Sequence, residues 1–97
     1  MQTSITRQKM KKRKVTFALE SPGANQVFIA GEFNDWNTSS HPMNKGENGS
    51  WSKSLFLPEG NYEYKFFVDD RWEIDPNNER ACENCFGSQN NIVRVVR

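Results

Sequence analysis

Between residues 50 and 57 apolar side chains alternate with small polar ones. Trp51, Leu55 and Leu57 fall on one face, Ser52 and Ser54 on the other. A two-residue period of this kind predicts a strand with one buried side. Tyr62, Tyr64, Phe66 and Val68 repeat the alternation over residues 62–68, with Glu63, Lys65 and Phe67 opposite them. Pro58-Glu59-Gly60-Asn61 lies between the two runs and reverses the chain, so they read as a hairpin. Apolar runs upstream predict strands over 15–20 and 26–32, divided by the turn Ser21-Pro22-Gly23. Downstream, Asp69-Asp70 turns the chain into a short strand at Arg71–Glu73, and Asp75-Pro76-Asn77-Asn78 turns it again. A loop then runs to about Gln89, and a last strand covers residues 91–96.

Residues 34–50 are polar, rich in Asn, Ser, Gly and Pro, and show no helical period, so they read as a long loop. Short strands with turn residues between them and no amphipathic helix predict an all-β antiparallel sandwich of about seven to eight strands. A chain of 97 residues has room for one such domain and none for a catalytic domain beside it. The hydrophobic fraction is low at 35% and the aromatic fraction high at 12%, so a few large rings must supply much of the core.

Charge divides the chain. Arg7, Lys9, Lys11, Lys12, Arg13 and Lys14 give the first 14 residues a charge of +6 with no acidic residue, and the rest of the chain carries −5. The pattern predicts a flexible basic arm over residues 1–13 ahead of a mildly acidic domain over 14–97. The arm reads as a solubilising leader and no nucleic-acid partner is expected, because the acidic body offers no second basic patch. No apolar run approaches membrane-spanning length and no signal-peptide core is present, so the expected location is cytoplasmic, with no membrane partner. Met1 reads as a natural start.

The aromatic positions change the picture most. Trp51 keeps phase with Leu55 and Leu57 and reads as core. Trp36 follows Asn34-Asp35 at the head of the polar loop, and Trp72 follows the Asp69-Asp70 turn; both read as surface rings. Exposed indoles cover the C–H face of a pyranose while amide and ammonium groups reach its hydroxyls. Lys65, outward on its strand, lies in the region of Trp72 or is an ordinary solvated lysine. Asn90 and Asn91 either close a turn or bind hydroxyls, since an amide both donates and accepts.

Catalysis finds little support. His41 has no serine or cysteine placed for activation, and no carboxylate pair sits among apolar residues as glycoside hydrolysis needs. Asp69, Asp70 and Asp75 read as turn formers. Cys82-Glu83-Asn84-Cys85 has the spacing of half a zinc site, with only His41 as a third ligand, and lacks the strand-to-helix setting that activates a redox pair. No catalytic residue, metal or cofactor is expected.

Three segments in order resemble the carbohydrate-binding modules of family 48: Val27 through Trp36, Leu57 through Asp69, and Asn90-Asn91-Ile92-Val93, with Trp72 and Asp75-Pro76 between the last two. The family includes the glycogen-binding domain of the AMP-activated protein kinase β-subunit and the isoamylase-type early-set domains of glucan enzymes. The resemblance runs from about Lys14 to Arg97. It implies an immunoglobulin-like sandwich of the early-set type and, as ligand, an α-1,4-linked glucan such as glycogen or starch. It implies carbohydrate-binding roles for Trp36, Lys65, Trp72 and Asn90, with Phe86 in place of a leucine that wraps the sugar and Ser88 in place of a threonine. It also leaves a second possibility, a module that docks a glucan-metabolising enzyme or kinase without holding sugar. Asp70 stands where the family has glycine, which requires Asp in a left-handed conformation, and residues 77–85 follow no pattern of the family.

Overall fold

The computed structural model describes residues 11–84 and 87–96. Their strands are β1 (Lys12–Glu20), β2 (Val27–Gly31), β3 (Asn44–Lys45), β4 (Ser50–Pro58), β5 (Gly60–Val68), β6 (Arg71–Glu73), β7 (Ala81–Glu83) and β8 (Gln89–Val95). They form an immunoglobulin-like sandwich of two antiparallel sheets. One sheet has the order β1-β4-β3; the other has β2-β5-β8-β7, with β6 also paired to β5. Among the described residues there is no α-helix, only the single 3-10 turns Glu32–Asn34 and Glu47–Gly49.

The alternation that marks the strands also builds the core. Phe17 and Leu19 of β1 and Trp51 and Leu57 of β4 face Val27 and Ile29 of β2, Tyr64, Phe66 and Val68 of β5, and Val95 of β8. Phe17 meets Tyr64 edge-on at 4.9 Å between ring centroids, and the Trp51 indole N–H donates to the Ser21 carbonyl at 3.1 Å. Trp51 is core, as its phase predicts. The complementary set on β5, namely Glu63, Lys65 and Phe67, projects from the outer face of the larger sheet, where the candidate site lies.

Two features differ from the sequence expectation. β1 begins at Lys12, so Lys12, Arg13 and Lys14 pair with Pro58, Leu57 and Phe56; residues 1–10 of the expected arm lie outside the described residues. The polar stretches contain the short strands β3 and β7. β7 pairs Ala81, Cys82 and Glu83 with Asn91, Asn90 and Gln89, bringing the 77–89 region against the edge of the larger sheet.

The β5–β6 hairpin turns on Asp69 and Asp70, with φ of 46° and 68°. Positive φ at both central residues is what a tight two-residue hairpin needs to match strand twist. Asp69 offsets the strain locally: its carboxylate accepts the backbone N–H groups of Asn25 at 3.0 Å and Gln26 at 2.9 Å.

Candidate functional site

Trp36 is placed by a short chain of local constraints. β2 ends at Gly31, whose missing side chain lets the backbone pass against the Glu63 carbonyl oxygen and the Phe33 ring; a Cβ there would collide with both. The 3-10 turn follows, then Asp35 and Trp36 adopt left-handed backbone with φ of 57° and 59°. The Trp36 N–H closes back onto the Gly31 carbonyl at 2.9 Å. Asn34 braces this turn: its oxygen accepts from the Gly31 N–H at 3.0 Å, and its amide nitrogen donates to the Ile29 carbonyl at 3.1 Å and to His41 Nδ1 at 2.8 Å. His41 is therefore a structural tie for the loop.

Trp72 pairs with Phe67 across the hairpin, and their ring centroids are 4.9 Å apart. It is 45% exposed. Its ring meets Trp36 edge-to-face, with centroids 6.0 Å apart and planes at 73°. Lys65 lies between the neighbouring positions of the same sheet face and is only 8% exposed, so it is no ordinary solvated lysine. Its ammonium donates to Ser88 Oγ at 3.1 Å. A buried lysine stem with a directed ammonium suits a site that binds hydroxyl oxygens.

The two asparagines of β8 divide the roles that the sequence left open. Asn90 points outward, is 6% exposed, and donates to Glu63 Oε1 at 2.9 Å. Asn91 points into the core side, where its oxygen accepts from the Asp75 N–H at 2.6 Å and its nitrogen donates to the Asn78 carbonyl at 3.0 Å. Asp75 is more than a turn former: it is buried and accepts the Tyr64 hydroxyl at 2.7 Å. Burial, with the Asp75 carboxylate adding to it and the Asn78 hydrogen bond opposing, pushes the Tyr64 phenol well above its ordinary range.

Trp36, Lys65, Trp72, Ser88 and Asn90 thus line one concavity of about 660 Å³, together with Glu63, Glu83 and Asn84. Phe86 lies outside the described residues. Glu63, Glu83 and Asn84 are members that the sequence did not point to; the one available signal was the position of Glu63 two residues before Lys65 on the same strand face. Desolvation, then the hydrogen bond and charge of Glu63, pushes the Cys82 thiol up, away from a reactive thiolate. Cys85 lies outside the described residues. Among the described residues no group of His, Cys, Asp and Glu is arranged to hold a metal ion.

Residues 13–97 match the family described as the glycogen recognition site of AMP-activated protein kinase. The chain belongs to this family. Relatives from the glycogen-recognition family include 5'-AMP-activated protein kinase subunit beta-2 of Homo sapiens, 43% identical over 77 residues, which cover 79% of this chain and 27% of the relative. Subunit beta-1 of Rattus norvegicus is 40% identical over 75 residues, or 77% of this chain and 26% of the relative. The chain therefore spans about a quarter of the length of these relatives. Among solved structures, maltogenic amylase from S.marinus superposes on 89% of this chain and 14% of its own, with a TM-score of 0.72 at 22% identity, a likeness of fold. No helix among the described residues is long and apolar enough to cross a membrane.

Proposed function

We propose that this domain binds an α-1,4-linked glucan such as glycogen or starch, without catalysis, in the concavity on the outer face of the larger sheet. The observation that carries the reading is the meeting of Trp36 and Trp72 at 6.0 Å in one concavity with Lys65, a buried residue whose ammonium is directed at Ser88. Two indoles offer stacking faces to successive glucose rings, while Lys65, Ser88 and Asn90 reach hydroxyls. Membership of the glycogen-recognition family supports the ligand class. Phe86 is proposed to press the opposite side of the sugar chain.

Each stacking contact contributes about 0.5–1.5 kcal/mol beyond burial. Set against the cost of association, a few such contacts give a weak single site, with Kd on the order of micromolar to millimolar. The test is a tryptophan-fluorescence titration with β-cyclodextrin of the wild type, Trp36→Ala and Trp72→Ala. Saturable quenching in the wild type with at least ~10-fold weaker binding in each variant is the expected result. A flat wild-type titration at millimolar sugar would leave the fold intact and remove the function.

The curated relatives are subunits of a protein kinase, and a kinase or glucan-metabolising enzyme is the protein partner proposed for the longer assembly. A cytoplasmic location belongs to the same proposal.

A further inference from the structure

The polar floor of the site is a chain of hydrogen bonds whose direction is fixed at both ends. Glu63 and Lys65 stand on one face of β5. From Glu63 the chain runs to Asn90, whose Nδ2 donates to Glu63 Oε1 at 2.9 Å. Asn84 Nδ2 donates to Asn90 Oδ1 at 3.0 Å and to Ser88 Oγ at 2.9 Å. Lys65 Nζ completes the circuit by donating to Ser88 Oγ at 3.1 Å.

An ionised carboxylate only accepts, and an ammonium or a backbone N–H only donates. Glu63 therefore turns the Asn90 nitrogen toward itself and the Asn90 oxygen toward Asn84. At the other end the Ser88 N–H donates to Asn84 Oδ1 at 3.1 Å, which turns the Asn84 nitrogen toward Asn90 and Ser88. The two constraints agree, so flipping either amide sets donor against donor or acceptor against acceptor. Ser88 Oγ receives hydrogens from both Lys65 and Asn84. Its two lone pairs are thereby filled, and its own hydrogen points away from the circuit.

We propose that Glu63 and Asn84 are positioning residues that hold Ser88 as a hydrogen-bond donor and Asn90 in a single orientation, so that the floor of the site selects ligand oxygens able to accept. This rests on the glucan reading of the concavity. Glu63 touches the ligand through Asn90, and Asn84 acts through Ser88 and Asn90; neither needs a sugar contact of its own. Glutamine in place of Glu63 keeps an oxygen for Asn90, whereas aspartate in place of Asn84 draws the Ser88 hydrogen inward and removes the donor.

Two measurements test it. The first, on the ligand-free protein, follows the side-chain amide signals of Asn90 by nitrogen-15 NMR in the wild type, Glu63→Gln and Glu63→Ala. A proton shifted downfield by the carboxylate, reduced in Glu63→Gln and lost in Glu63→Ala with distant backbone signals unchanged, is expected; an unmoved signal overturns the assignment. The second is calorimetric titration with β-cyclodextrin. Glu63→Gln should stay within ~3-fold of the wild type, Glu63→Ala should bind ~5- to 10-fold more weakly, and Asn84→Asp at least ~10-fold more weakly.

Wild-type affinity in a folded Asn84→Asp variant, or in Glu63→Ala, overturns the proposal. If Asn84→Asp does not fold, the Glu63 pair decides. If the wild type binds no cyclodextrin, the glucan reading fails, and the NMR signal alone decides the direction of the circuit.

Discussion

Tyr64 joins the apolar core to the polar cluster of Asp75, Asn78 and Asn91. Its ring packs in the core against Phe17, while its hydroxyl donates to buried Asp75 and accepts from Asn78 at 3.0 Å. Tyr64→Phe keeps the ring and removes the donor, leaving Asp75 short of a partner; urea unfolding should show a loss of about 1–3 kcal/mol. The raised phenol pKa adds a pH signature. Below about pH 10, the ordinary tyrosine value, the stability from the neutral phenol is fully present. As pH rises beyond that, the unfolded chain releases a proton that the folded chain retains, so stability falls toward the folded pKa. Tyr64→Phe lacks this titration, and its stability deficit should therefore narrow at alkaline pH. Trp36, Trp72 and Asn90 stood out in the sequence as rings and an amide near turns, whereas Lys65 stayed open between a site lysine and a solvated one, and Ser88 was carried by the family resemblance alone. Glu63 and Asn84 did not stand out. A glutamate in the outward phase of a strand looks like any solvated residue, and a loop asparagine gives no sign of which side chains it will join.

At the scale of elements, strand interiors were legible and strand limits less so. β4, β5 and β6 follow their alternation, and β2 its apolar run, whereas β3 and β7 are two and three residues long. Ala81 and Glu83 are exposed on β7, so no apolar phase announces that strand; it exists because β8 offers it an edge. The Asp69-Asp70 turn was legible, including the left-handed backbone that Asp70 adopts. Its two aspartates should respond in opposite directions. Asp70→Gly relieves a left-handed residue and is expected to raise stability by roughly 0.5 kcal/mol. Asp69→Ala strips the acceptor from the Asn25 and Gln26 N–H groups and is expected to lower it by about 1–2 kcal/mol. Thermal unfolding of both variants beside the wild type checks the ordering.

For the molecule as a whole, the sandwich holds its proposed ligand surface on one sheet and turns the other sheet away from it. The outer face of the smaller sheet carries Phe56, 63% exposed, and none of the residues that line the concavity. On the proposed reading of one weak site per domain, valency decides binding to a branched polymer. Two copies joined by a flexible linker that spans neighbouring glucan branches should bind glycogen ~10²-fold more tightly than one copy, while their affinity per site for β-cyclodextrin stays the same; parallel titrations with polymer and cyclodextrin check this. The 73° between the Trp36 and Trp72 planes also bears on ligand shape. A sugar chain that lays a face on each indole must turn between the two contacts. A straight ribbon would lie on one ring and leave the other wet. In the proposed complex the pair is a gauge of bend, and bend belongs to the glycosidic linkage, not to the glucose unit. Cellodextrins, made of the same monomer, would forfeit one of the two stacks.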